Sequence, residues 1–400
     1  MRMSTQTLYE AGTTSLGAQQ TDLFRIQQQM ATGRRVLTPA DDPVSASAIL
    51  NARQALHFNA QHAANQTAAS NALGLVENTL GAAGDTIQDA RQLILSANNG
   101  ALTDADRRTI ATQLENLLSQ MTGIANARDG GGRYMFGGFK DELPPFALSA
   151  TGGVYTGDDG ERQVEVAPQR SMEVTTSGAA TFMRIPNGNG VFSARAGGAN
   201  AGSGVIDPGQ VVNPAALTGH QYRIQFTGAA SYDLLDVTAG TTVSTANTFT
   251  PGTAIAVAGM QTTIAGQPAP GDSFDLAPSV QQDVFTTLRS IITALSTATS
   301  GAAGTAPVTN QINAAVMDLD RAADNILTTR TQVGSRMAEL DRLQAVNSAS
   351  EIEHQRRLSE LEDLDYAAAA SDLTRKQTMM QANQETFARL AKLSLFNFLA

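Results

Sequence analysis

The sequence predicts a mainly α fold with inserted β structure. Both ends of the chain form a long antiparallel helical coiled-coil rod, and a β-rich outer domain is inserted in the middle. Near both ends, apolar residues recur at alternating steps of three and four, which is the spacing of helices that pack lengthwise. From about 141 to 278 this spacing is lost and Gly, Pro, Thr and Asn become frequent, as in short strands joined by turns.

The first half of the rod has clear start and stop signals. Asp42-Pro43 predicts an N-cap followed by proline at the first helical position. Asn99-Gly100 predicts the end of that helix, so we expect it over about 43–98. Thr103 and Asp106 resemble a capping box and predict the start of the next helix.

The second half of the rod supplies the returning helices. Helical spacing predicts one helix over about 284–298 and a longer one over about 308–372 if it is unbroken. Arg330 is a charged residue in the seam of the longer helix, where its aliphatic stem can be buried at the edge. The residues predicted to form the rod core share a or d positions of the repeat and are Leu73, Val76, Leu80, Ile87, Ile94, Leu114, Leu117, Leu288, Ile291, Leu319, Ile326, Val333 and Leu340.

Short strands are predicted in the middle of the chain. Residues 154–156 and 164–166 flank a turn at Asp159-Gly160 and predict a β-hairpin. Residues 187–204 are rich in Gly, Ala and Asn and predict a loop, which divides the domain into submodules at 141–186 and 205–278. Further strands are predicted at 222–226, 254–257, 261–264 and 273–276.

Apolar stripes at the two chain ends lack an obvious partner within their own halves. Chain ends are usually frayed unless they are docked, so these stripes predict pairing with each other or with neighbouring subunits. The predicted subunit and partner contacts are Leu8, Leu16, Leu23, Ile26, Met30, Met380, Phe387, Leu390, Leu393, Phe396 and Leu399.

Composition excludes several classes of function. The chain has 27 basic and 37 acidic residues, a net charge of −10, which argues against a nucleic-acid or anionic-membrane partner. Cys is absent, which excludes disulfides, cysteine metal sites and cysteine nucleophiles. The sequence contains no apolar run long enough to predict a membrane span, and its start does not resemble a cleavable signal peptide.

Residues with catalytic potential form no recognisable set, so we predict no enzyme, no metal and no cofactor. The Gly clusters lack the Gly-Lys-Ser/Thr of a P-loop and the strand–GxGxxG–helix order of a dinucleotide site. No histidine lies near a plausible nucleophile. Glu360, Glu362, Asp363 and Asp365 alternate with leucines on a predicted helix, so we expect a solvated polar face there.

Two alternatives from other classes remain at this point. A glycan-processing enzyme in the β-rich middle would need two carboxylates facing one cleft. The carboxylates available for it are Asp158, Asp159, Glu161, Asp272 and Asp275. A cytoplasmic coiled-coil scaffold is the other alternative.

Five segments carry a resemblance to a known family. They are the opening MRMSTQ at 1–6, TGRRV at 32–36, PADDP at 39–43, DGGGRYMFGGFK at 129–140 and LSLF at 393–396. Together with the helical ends and the β-rich middle, they resemble the flagellin-like axial proteins of bacteria, and within that group the hook-filament junction family. The resemblance covers roughly 1–185 and 279–400, while 187–278 departs from the family's shorter members.

The resemblance implies a structural protein of the bacterial flagellum, located outside the cell at the hook-filament junction. It implies export through the flagellar type III channel without a cleaved signal peptide, with a cytoplasmic chaperone on the C-terminal helix. Copies of the subunit would then form a ring between hook-associated protein 1 and flagellin. The alternative within the group is flagellin itself, the filament subunit, from which the RYMFGG segment and the SLF ending differ.

Three domains are predicted on this basis. Residues 1–42 plus 358–400 form a terminal helical domain at the axial core, and 43–140 plus 279–357 form the helical rod. Residues 141–278 form the β-rich outer domain.

Overall fold

The computed structural model describes residues 5–298 and 305–398, with side chains described for 7, 9–298 and 305–389. The α-helices in these residues are α1 Thr5–Thr32, α2 Pro43–Ala97, α3 Asp104–Ala125, α4 Val284–Thr297, α5 Ala306–Glu362 and α6 Tyr366–Phe398. None of the described helices combines the length and the apolar character that crossing a bilayer requires. The helical ends and the β-rich middle confirm the predicted fold class.

The strands lie between α3 and α4. They are β1 Phe146–Leu148, β2 Gly153–Tyr155, β3 Gln163–Ala167, β4 Arg170–Glu173, β5 Ile185–Pro186, β6 Phe192–Ala196, β7 Val205–Ile206, β8 Gln210–Val211, β9 Tyr222–Gly228, β10 Ser231–Asp236, β11 Thr241–Thr248, β12 Ala254–Val257, β13 Met260–Ala265, β14 Ser273–Pro278 and β15 Gln281–Gln282. A five-stranded antiparallel sheet has the order β11-β10-β9-β14-β6. In a second sheet β13 pairs with β12, β7 and β8, and the pairs β1-β2, β3-β4 and β5-β15 stand separately.

The two larger sheets enclose one apolar core. Phe192, Phe226 and Phe274 are fully buried in it, together with Ile224 and Ile264. The rings of Phe226 and Phe274 meet edge to face with centroids 5.9 Å apart, a favoured aromatic geometry. Alternate residues of β9 point into this core, as the period of two in that segment predicts.

The predicted helix starts are present. The side chain of Asp42 accepts a hydrogen bond from the Ser45 N–H at 3.0 Å, next to Pro43 at the start of α2. Thr103 and Asp106 form the reciprocal capping box at the start of α3, with 3.2 Å and 2.9 Å between donors and acceptors.

The described chain divides into two compact units. Unit 1 consists of Met1–Ala64 and Leu343–Ala400, and unit 2 is Asn65–Arg342. The long helices α2 and α5 contribute residues to both units. The three domain ranges expected from the sequence stay predictions.

The expected unbroken helix over 308–372 is wrong, because α5 ends at Glu362 and α6 begins at Tyr366. The chain at the break pairs with the loop that follows α1. The Arg35 N–H donates to the Glu362 carbonyl at 2.7 Å, and the Leu364 N–H donates to the Gly33 carbonyl at 3.0 Å. Asp365 then caps α6 by accepting from the Ala367 N–H at 2.9 Å. At the break, hydrogen bonds to the loop after α1 therefore take the place of hydrogen bonds within a continuous helix.

The hairpin expected between 154–156 and 164–166 is also wrong. The first segment belongs to β2, which pairs with β1, and the second belongs to β3, which pairs with β4. Both observed pairs need shorter connections than the expected one. The turn between the two segments packs elsewhere, since Asp158 accepts from the Phe139 and Gly160 N–H groups at 2.8 Å each.

The loop expected over 187–204 contains a strand. β6, Phe192–Ala196, is an edge of the five-stranded sheet and pairs with β14. Phe192 is fully buried, and this burial stabilises the strand although its neighbours in sequence are turn residues.

Candidate functional site

The core of unit 2 contains the residues predicted for the rod seam. Twelve of them are buried: Leu73, Val76, Leu80, Ile87, Ile94, Leu114, Leu288, Ile291, Leu319, Ile326, Val333 and Leu340. Leu117 is only half-buried, and its neighbour Leu118 is the buried residue at that level. The buried stripe of α3 follows Leu114, Leu118, Met121 and Ala125, so it keeps the expected Leu114 and differs by one residue at the next level.

Arg330 lies at the edge of this seam. Its guanidinium pairs with Glu77 of α2, with Nε at 3.0 Å from the carboxylate, and both side chains remain partly exposed. Such an exposed pair contributes little to stability.

The first and last helices pack against each other within unit 1, as the apolar stripes predict; we call them the terminal pair. The ring centroids of Tyr9 in α1 and Phe387 in α6 are 5.0 Å apart. Gly12 lets this ring approach, because a Cβ added there would lie 2.7 Å from two ring carbons of Phe387. Ile26 is 5% exposed and is buried within unit 1.

Two polar contacts also join the helices of the terminal pair. Lys376 Nζ lies 3.1 Å from the Asp22 carboxylate. The Tyr366 hydroxyl donates to the Met30 carbonyl at 3.2 Å, near the end of α1.

The predicted partner-binding residues are only partly covered by this pairing. Leu16, Leu23, Met30, Met380 and Phe387 are half-buried. The side chains of Leu8, Leu390, Leu393 and Phe396 lie outside those described, and Leu399 lies outside the described residues.

Unit 1 also exposes large apolar side chains along α1, α2, α5 and α6. Among its described residues, the buried apolar ones are Ile26, Val36, Ile49 and Ala52. The exposed large ones are Tyr9, Phe24, Val44, Leu50, Phe58, Val346, Ile352, Tyr366 and Met379, of which Phe24 is 72% exposed. These side chains are candidates for contacts with another protein surface.

The loop after α1 and the break after α5 form one connection in unit 1. Gly33 has a φ of +71°, the left-handed conformation that ends many helices and favours glycine. Asp41 accepts from the Leu37 and Thr38 N–H groups at 3.1 and 2.8 Å, which closes the turn before α2.

Glu362 is the functional candidate that the sequence reasoning placed wrongly on a solvated face. Its residue is 6% exposed, and it pairs with Arg34 and Arg53. Both arginines of the TGRRV segment contact the end of α5: Arg34 pairs with the Glu362 carboxylate, and Arg35 donates to backbone carbonyls there. The sequence signal that was available is the Asp365-Tyr-Ala-Ala-Ala run, which is typical of a new N-cap.

The DGGGRYMFGGFK segment is internal to unit 2. Phe136 is fully buried and meets Phe182 edge to face at 5.2 Å, while Tyr134 stacks under the Arg128 guanidinium at 4.5 Å. Gly137 is required by close approach, because a Cβ there would lie 2.7 Å from the Lys140 carbonyl oxygen. The segment packs the exit from α3 against the first strands.

The carboxylates considered for a glycan-processing site are bound by neighbours. Asp158 closes a turn, and its pKa is lowered mainly because its carboxylate accepts a hydrogen bond from the Phe139 N–H. Asp159 pairs with Arg184 and Glu161 with Arg336. Burial raises the pKa of Glu161, and the adjacent Glu173 adds to the shift.

The two carboxylates near β14 are also bound. Asp272 accepts from the Ala201 and Ala269 N–H groups at 2.7 and 2.8 Å. Asp275 pairs with Arg223 at 2.7 Å. In the described part of the chain, no group of three or more His, Asp or Glu side chains is placed to hold a metal.

Comparisons with known proteins match both chain ends. The family model of the bacterial flagellin N-terminal helical region matches residues 3–141, and that of the C-terminal helical region matches 293–399. Over 185 residues the chain is 38% identical to flagellar hook-associated protein 3 of Salmonella typhimurium and 36% identical to that of Escherichia coli. Each match covers 46% of this chain and 58% of the relative, which is less than two thirds of its length.

Solved structures match a larger share. A crystal structure of FlgL from Xanthomonas campestris has a TM-score of 0.72 and 32% identity, and the match covers 77% of this chain and 99% of that one. The crystal structure of flagellar hook-associated protein 3 from Legionella pneumophila has a TM-score of 0.73 and 28% identity, over 78% of this chain and 98% of that one.

Proposed function

The chain belongs to the FlgL family, flagellar hook-associated protein 3, and from that premise we propose that it joins hook-associated protein 1 to the flagellin filament as a ring-forming structural subunit. A structural role in the flagellum is what its relatives have in common by name. The ring, its neighbours and the export route belong to the proposal.

The observation that carries the proposal is the incomplete burial of unit 1. Its helices pair, yet Leu16, Leu23 and Met30 stay half-buried and Phe24 is exposed. Covering a large apolar side chain completely is worth about 1.5–3 kcal/mol. Packing against neighbouring copies in a ring would provide this cover for several side chains at once.

The same surface supports the proposed chaperone and the proposed assembly. An apolar terminal helix that is not yet covered favours aggregation, so we expect a cytoplasmic chaperone to bind α6 before export. Because the chain has no Cys, no thiol can form a wrong disulfide outside the cell. The subunit would then be covered by copies of itself, by hook-associated protein 1 and by flagellin.

The test is a clean deletion of the gene, followed by electron microscopy of cells and a gel of the culture medium. Bare hooks with abundant soluble flagellin in the medium, restored by a plasmid copy of the gene, are the expected result. Loss of the flagellin band would identify the chain as a flagellin instead. Normal filaments in a strain without a second copy would refute the junction role.

A further inference from the structure

A buried carboxylate joins three segments of unit 1 at the break between α5 and α6. One terminal nitrogen of Arg53, in α2, donates to both oxygens of Glu362 at 2.7 Å. Arg34, in the loop after α1, pairs with the same carboxylate. The Glu362 side chain is 8% exposed, whereas the two arginines are about half exposed.

The backbone at this point is tied to the same loop. The Arg35 N–H donates to the Glu362 carbonyl at 2.7 Å, and the Arg35 guanidinium donates to the Leu361 carbonyl at 3.0 Å. The segment from Arg34 to Arg35 therefore has a fixed position against the end of α5. Both helices of the terminal pair leave from this place, since α1 ends at Thr32 and α6 begins at Tyr366.

The interaction that joins these segments is electrostatic, between the Glu362 carboxylate and the guanidinium groups of Arg34 and Arg53. A buried carboxylate costs free energy unless it is paired and hydrogen-bonded, and here two guanidinium groups from different segments provide the pairing. Neither arginine can reach Glu362 if its segment moves away from the end of α5. A change in the direction of α1 would therefore take Arg34 away and leave the buried carboxylate with Arg53 alone.

We propose that Glu362 is the positioning residue for assembly: its charge, shared by Arg34 and Arg53, fixes the direction in which α1 and α6 leave the ends of α2 and α5 within unit 1. The proposal rests on the proposed junction function for its consequence in the cell. The geometry of the isolated chain can be tested separately.

The first experiment measures distances in the purified full chain by pulsed EPR. Because the chain has no Cys, spin labels attach only to introduced ones, at the exposed positions Gln27→Cys in α1 and Asn51→Cys in α2. Glu362→Gln keeps the size of the side chain and removes its charge. We expect the distance distribution to become at least about twice as wide, because charge-assisted hydrogen bonds to both segments are lost.

Two further variants make this test specific. Glu77→Gln removes the partly exposed pair with Arg330 in unit 2 and should leave the distance unchanged. Arg53→Gln removes one of the two arginines that pair with Glu362 and should broaden the distance distribution less than Glu362→Gln does. This variant is used as the test if Glu362→Gln does not fold. If Glu362→Gln folds and its distance distribution is as narrow as that of the wild type, the proposal is overturned. If Glu362→Gln does not fold, an unchanged distance distribution in Arg53→Gln overturns it.

The second experiment complements the deletion strain with the same variants. We expect Glu362→Gln to be exported at the wild-type level while the number of filaments per cell falls at least about tenfold, and Glu77→Gln to restore filaments fully. Broadened distances with normal filaments would overturn the role in assembly. If the deletion strain itself has filaments, the junction function fails, and the EPR result still decides whether Glu362 positions the helices.

Discussion

Two neighbouring leucines of α3 provide a direct test of the seam in unit 2. Leu118 is 2% exposed, whereas Leu117, the residue that the heptad spacing favours, is only half-buried. Replacing a fully buried leucine by alanine costs about 2–5 kcal/mol, because apolar contacts are lost and a cavity remains. For Leu118→Ala we expect a loss of about 3 kcal/mol in the free energy of unfolding.

The matched variant Leu117→Ala should cost about 1 kcal/mol or less, because much of that side chain is already in water. In a unit of this size, each kcal/mol lowers Tm by roughly 2–4 °C, so Leu118→Ala should lower Tm by about 6–12 °C. Thermal unfolding of the full chain by circular dichroism measures both. A loss in Leu117→Ala equal to or larger than that in Leu118→Ala would refute the observed phase of the helix.

Three further predictions concern the glycines of α1, the cap of α3 and the turn between β3 and β4. Gly12→Ala should loosen the terminal pair, because the added Cβ would lie 2.7 Å from the ring of Phe387 in α6. Gly17→Ala has no atom within 4 Å of the added Cβ and should instead raise helix stability by up to about 1 kcal/mol. Amide exchange of α1 should therefore become faster in the first variant and slower in the second. Hydrogen bonds from Thr103 lower the pKa of Asp106 in the folded chain. The capping box therefore stabilises α3 fully above the ordinary pKa of aspartate, and this stabilisation is lost as pH falls through the lowered pKa. Amide exchange at the start of α3, measured against pH, should show this loss, and D106N should remove the pH dependence. Gln169 has a φ of +58° in the turn between β3 and β4, so Gln169→Gly should raise the free energy of unfolding by about 0.5–1 kcal/mol in urea titrations, whereas a loss would contradict the assigned turn.

The helices could be predicted because their signals are local. Asp42 before Pro43 and the pair Thr103 and Asp106 act within one turn, so their caps appear as expected. The same holds for alternation in β9, where every second residue faces the core.

What the sequence could not reveal depends on partners distant along the chain. Glu362 looks like part of a solvated helical face, and only Arg34 and Arg53 make it a buried charge. Likewise, β6 becomes a strand because β14, far along the chain, supplies its hydrogen bonds. Periodicity reports the face of one element and contains no information on which other element covers it.

The two units differ in how far a single chain completes them. In unit 2 the seam residues of α2 and α5, such as Leu80 and Leu319, are fully buried by contacts within the chain. In unit 1, Ile26 of α1 is buried but Phe24 on the same helix is exposed. Binding that favours the folded state adds stability in proportion to the logarithm of partner concentration. If the proposed assembly forms, unit 1 should gain stability from the neighbouring subunits that cover it, whereas the seam of unit 2 is already buried within the single chain.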